Sequence, residues 1–64
     1  MKSTFNKGDL VEYICPSERI AKMGVVTDIL EDHNGWLVYE VVCTDPYDRY
    51  WFSDLELRLI NESG

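Results

Sequence analysis

His33 is the single histidine of the chain, and it sits beside Glu31 and Asp32. Imidazole next to carboxylates is the raw material of a metal site or of proton transfer. Both uses need groups that converge from separate elements, and consecutive residues of one loop do not converge in that way. Cys15, Cys43, Ser17, Ser53 and Ser63 are the candidate nucleophiles. A hydroxyl or thiol nucleophile requires its own positioned base, and one loop histidine would have to serve all five. Neither a Gly-rich phosphate loop nor a dinucleotide fingerprint occurs. The expectation is therefore no enzyme, with no catalytic residue, no metal, no cofactor and no small-molecule ligand. The two cysteines are not in a Cys-x-x-Cys or zinc-type spacing. Two alternatives stay open for them, a single bridge and a pair of reduced, half-buried thiols, the second being the expectation.

The 64 residues are enough for one domain, 1–64, whose ends at 1–6 and 61–64 read as loose, with Phe5 as an anchor. Hydrophobic residues make up 45% of the chain, so a core can form. A chain this short buries only about 60% of its unfolded surface, so its margin of stability is small. Six basic residues stand against twelve acidic ones, for a net charge of −6 spread from Asp9 to Glu62. A surface that tracks phosphates needs clustered Lys and Arg, so nucleic acid and anionic lipid are poor partners. Useful affinity for DNA or RNA at physiological salt is not expected. The start, Met1 to Lys7, has no apolar run of the signal-peptide kind, and no segment approaches the roughly 20 apolar residues of a membrane span. The expected location is cytoplasmic.

The elements that must carry these residues are short strands between turns. Lys7-Gly8-Asp9 reads as a turn, followed by a first strand, Leu10-Val11-Glu12-Tyr13-Ile14, with Val11 and Tyr13 inward. Pro16 ends it, and Cys15–Lys22 reads as a connecting loop with room for one helical turn after Ser17. The second strand is Met23–Leu30, where Gly24 suggests a bulge or sharp bend. Asn34-Gly35 marks a hairpin in which both residues tolerate positive φ. The third strand, Trp36–Cys43, is the most β-prone. Asp45-Pro46-Tyr47-Asp48 is the next turn, and Arg49–Phe52 the fourth strand. Ser53 with Glu56 three residues on has the capping-box pattern, enough for a single helical turn. Leu57–Ile60 closes the chain as a fifth strand. Leu55 in the capped turn is expected to plug the core, so that Leu55→Ala would cost about 2–5 kcal/mol.

Five short strands with a helical turn before the last point to an all-β, five-stranded SH3-like barrel. Lys7-Gly8-Asp9-Leu10-Val11 followed by Gly24-Val25-Val26 resembles the opening of SH3-like modules of the KOW and Tudor kind. The chain over residues 5–60 is also similar to short uncharacterised bacteriophage proteins. The resemblance implies architecture and carries no function with it, because barrels of this class bind peptides, nucleic acids or one another.

The aromatics are the unusual supply: eight of them for so small a core. Alternation sorts them. If Glu40 faces water, then Trp36, Val38 and Val42 share its face, while Leu37, Tyr39, Val41 and Cys43 point inward. If Arg49 faces water, so does Trp51, leaving Tyr50 and Phe52 inside. Trp36, Val38, Val42 and Trp51 are then a candidate interface, unless the N-terminal leader or the Cys15–Lys22 loop folds over them. A second candidate is a peptide groove where Tyr13, Tyr47 and Tyr50 meet. The function expected is an interaction module that binds a protein partner or itself. The alternatives are a nucleic-acid-associated KOW- or Tudor-like domain and an acidic inhibitor that mimics nucleic acid.

Overall fold

The computed structural model describes residues 4–44 and 47–60. β1 runs Leu10–Ile14, β2 Ala21–Glu31, β3 Leu37–Thr44, β4 Tyr47–Ser53 and β5 Arg58–Leu59, with one 3-10 turn at Asp54–Glu56. All pairings are antiparallel, in the order β4-β3-β2-β1-β5. The last strand thus returns to the first, Val11 opposite Leu59 and Glu12 opposite Arg58, and the Ile60 amide donates to the Leu10 carbonyl at 3.0 Å. β4 and β5 are the two edges of the sheet, and among the described residues no hydrogen-bonded pairing joins them. The five strands and the single turn are as expected; closure into a barrel is not shown by the ladder.

The connections follow from local chemistry. β1 and β2 form a hairpin whose turn puts Arg19 at φ 60°, with the Arg19 amide donating to the Cys15 carbonyl at 2.7 Å. No helical turn follows Ser17. Between β2 and β3 the Asp32 carboxylate accepts from the amides of Asn34 at 2.8 Å and Trp36 at 2.9 Å, while the Asp32 carbonyl accepts from Gly35. Gly35 alone takes the left-handed conformation there, at φ 85°. The hairpin expected at Asn34-Gly35 is thus present as an Asp-nucleated three-residue loop, in which Gly35 and not Asn34 uses the positive φ. At the β3–β4 connection, Asp45 and Pro46 of the expected turn lie outside the described residues. Tyr47 and Asp48 belong to β4 instead.

Gly24 does not carry the expected bulge. The register shift lies between Val26 and Asp28. Gly24 answers a different demand: a Cβ there would meet Val41 Cγ1 at 2.7 Å and the Val42 carbonyl oxygen at 2.8 Å, so β2 crosses too close to β3 for a side chain.

The inner face holds Phe5, Val11, Tyr13, Cys15, Val26, Tyr39, Val41 and Phe52, all buried, with Ile29, Leu37, Cys43, Tyr50 and Leu57 packed against them. Every inward assignment made for β1, β3 and β4 is met. Phe5 lies edge-on to Tyr39 with ring centroids 5.2 Å apart, and the Thr4 amide donates to the Tyr39 hydroxyl at 3.0 Å. Leu55 is a correction. It is 90% exposed, and Leu57 takes the inward place assigned to it. In a 3-10 turn side chains repeat every three residues, so the Glu56 carboxylate that reaches back to the Ser53 amide at 2.9 Å fixes which way Leu55 is thrown. Cys15 and Cys43 are both free thiols.

Candidate interaction surface

The hairpin of β3 and β4 presents its outer side to solvent, and the ladder defines which residues share it. Glu40 stands opposite Trp51, Val42 opposite Arg49 and Val38 opposite Ser53. Trp36 precedes β3 on the same side. Trp36 is 62% exposed and Trp51 44%, with Val38 and Val42 half-buried. The structure thus brings the four expected interface residues together on one face. Among the described residues of the leader, Phe5 goes into the core on the other side. Of the Cys15–Lys22 stretch, residues 15–20 are the β1–β2 turn and Ala21 and Lys22 open β2.

Ladder neighbours extend this surface beyond what alternation in β3 and β4 supplied. Val25 stands opposite Val42 and Leu30 opposite Val38, and both side chains are exposed. Tyr47, at the start of β4, is 65% exposed and shares the side of Arg49 and Trp51. Reading β2 by period two fails at Thr27, where the bulge resets the phase. That is why Leu30 escaped the sequence argument. Polar groups cross the middle of the face as one chain: Thr27 Oγ1 donates to Glu40 Oε1 at 2.8 Å, and Arg49 Nε lies 3.2 Å from Glu40 Oε2. The ion pair is exposed on the Arg side, so it fixes side-chain positions more than it adds stability.

The expected groove of Tyr13, Tyr47 and Tyr50 is divided by the sheet. Tyr13 is 1% exposed and packs on Tyr50 at 6.1 Å and Phe52 at 5.2 Å between centroids. It is a core residue, and Tyr47 lies on the opposite face. Alternation in β4 separates Tyr47 from Tyr50 in the first place, since they are an odd number of residues apart.

The remaining reactive groups are dispersed. His33 is exposed in the β2–β3 loop. Cys15 is buried, with Sγ 3.5 Å from Ser17 Oγ and 3.9 Å from the Tyr50 hydroxyl. The Ser17 hydroxyl, together with the Glu18 and Ser17 backbone, holds the thiol below its ordinary pKa against the opposing effect of burial. Ser53 is engaged by Glu56. A shallow groove of about 190 Å³ runs between β1 and the turn before β5, lined by Glu12, Tyr13, Ile14 and Leu55 to Arg58. Of its three charged members, Glu12 and Arg58 pair with each other and Glu56 reaches back to Ser53. Among the described residues no three His, Cys, Asp or Glu side chains gather as metal ligands would. No helix is long and apolar enough to cross a membrane among those residues.

Comparison with protein-family models, with curated proteins and with solved structures finds no match to this chain.

Proposed function

We propose that the chain is a non-enzymatic interaction module with the topology of an SH3-like barrel, and that it binds a protein through the outer face of its β3–β4 hairpin. The observation that carries this reading is the sharing of one face by Trp36, Val38, Val42 and Trp51, both indoles being substantially exposed. Burying a large apolar side chain is worth about 1.5–3 kcal/mol. A small domain gains from any partner that covers such a patch, because a ligand of the folded state adds directly to its stability. The five-strand order and the turn before β5 support the barrel topology.

The charges count against a nucleic acid as the partner. Lys7 lies by Asp28, Lys22 by Glu18 and Asp48, Arg49 by Glu40 and Arg58 by Glu12. Four of the five cations among the described residues thus lie by carboxylates, which argues against a phosphate-tracking stripe. A second copy is the simplest protein partner, since a two-fold pairing needs only one self-complementary patch. The test is the mass in solution of the parent chain and of Trp36→Lys. The variant should lose the assembly while keeping its circular dichroism. An assembly that survives unchanged in Trp36→Lys and Trp51→Lys alike contradicts the reading.

A further inference from the structure

We infer that the partner is a second copy docked along the free edge of β4, antiparallel and two-fold symmetric about Tyr50, with Arg49 of each chain beside the partner's Trp51. The inference rests on the interaction reading above and adds the occupant and the register. It begins from main-chain direction. In an antiparallel ladder each residue sends its N–H and C=O to one side, and the next residue sends them to the other. The Ser53 amide donates to Glu56 Oε1 and not across to β3. The β3–β4 register is continuous from Thr44–Tyr47 to Val38–Ser53, so Trp51, Arg49 and Tyr47 turn their main-chain groups the same way, outward. An independent contact agrees: the Glu40 carbonyl, opposite Trp51, accepts from Thr27 Oγ1 on the β2 side, at 3.4 Å.

The two edges of the sheet differ in what they offer. β5 has two residues, whereas β4 has seven. Long edges in monomers are normally blunted by charge, bulge or cover. On the outer side of β4 the only charge is Arg49, and the ladder contains no bulge. Asp48 turns toward Lys22, 4.0 Å away. The capping carboxylate of Glu56 takes the Ser53 amide, so Tyr47, Arg49 and Trp51 keep both main-chain groups for pairing and Ser53 keeps its carbonyl.

Alternation and charge then select the register. Only edge-facing residues can pair with edge-facing residues, so the two-fold axis passes through a residue of the strand. Centred on Asp48 it would set Trp51 against position 45, outside β4, and centred on Arg49 it would set two guanidinium groups directly opposite each other, which is unfavourable. Centred on Trp51 it would push Tyr47 against Leu55, outside any strand. Centred on Tyr50 it pairs Arg49 with the partner's Trp51 twice and Tyr47 with the partner's Ser53. Each Arg–Trp pair exchanges both main-chain hydrogen bonds and lays a guanidinium against an indole on the outer face. The outer faces become one surface, continuous with the patch of Trp36, Val38 and Val42.

Proline at position 49 separates edge from face. The Arg49 N–H points off the sheet, so Arg49→Pro leaves the β3–β4 ladder whole and the four apolar residues in place, yet removes a donor from the docking edge. Arg49→Pro should be a folded monomer by sedimentation equilibrium and circular dichroism, under conditions where the parent is a dimer. In the parent, amide exchange of Arg49 and Trp51 should slow on the order of tenfold as the dimer fills, while Tyr50 and Phe52, bonded to β3, should not change. Should Arg49→Pro fail to fold, the exchange of the parent alone decides. A parent dimer whose Arg49 and Trp51 amides exchange at a rate independent of concentration overturns the edge pairing. If that dimer is also lost in Trp36→Lys, the face reading stands without it. A parent that stays a monomer overturns the pairing as well.

Discussion

Tyr13 carries a buried hydroxyl that meets no hydrogen-bond partner among the described residues. An orphaned buried polar group costs about 1–3 kcal/mol, so Tyr13→Phe should be neutral or stabilising, by about 1 kcal/mol in chemical denaturation. Its titration gives a second reading of the same site. Burial, helped by the thiols of Cys43 and Cys15 and by Asp48, pushes the phenol above its ordinary 10.0. The unfolded chain therefore releases this proton at a pH where the folded chain still holds it. Stability from this group is intact below pH 10 and falls as pH rises past it. Tyr13→Phe should flatten that alkaline fall in melting temperature; an unchanged slope would show that Tyr13 is not the group responsible. Leu55 and Phe5 make the complementary pair. Leu55→Ala should change stability by no more than about 0.5 kcal/mol, since the side chain is 90% exposed. Phe5→Ala should cost about 3–5 kcal/mol, because that ring is 4% exposed against Tyr39. Calorimetry on the two variants tests the exchange of roles directly.

At the scale of elements, β1, β3 and β4 were legible because Glu40 and Arg49 fix the phase of a period-two pattern that runs unbroken. β2 was not, for a physical reason. Its phase changes at the bulge between Val26 and Asp28, so Val26 and Ile29 both face the core although they are three positions apart. Gly24 drew the bulge in the sequence argument because glycine in a strand signals either a bulge or a close approach, and composition does not tell them apart. Here it is close approach. Gly24→Ala should therefore destabilise the fold by about 1–3 kcal/mol, as overpacking does, because the atoms in the way include main chain of β3. If denaturation shows Gly24→Ala as stable as the parent, the tight crossing of β2 and β3 is wrong. The last turn misled for a similar reason. A capping box locates where a turn begins, and says nothing about which of its side chains faces in.

For the whole molecule, assembly depends on a surface that alternation makes visible and on an edge that it does not. The sequence marks which side chains share a face, but the direction of the β4 main-chain groups requires the register against β3. Charge works against assembly: each chain carries −6, so two copies repel each other. Raising ionic strength screens that repulsion and strengthens apolar contact, so association should tighten with salt, the reverse of the behaviour of a nucleic-acid binder. Sedimentation equilibrium of the parent chain across a wide range of concentration is the most direct measurement of the central claim. The mass should climb from that of one chain to that of two and level off there, at lower concentration in higher salt. A mass that stays at one chain throughout would contradict it.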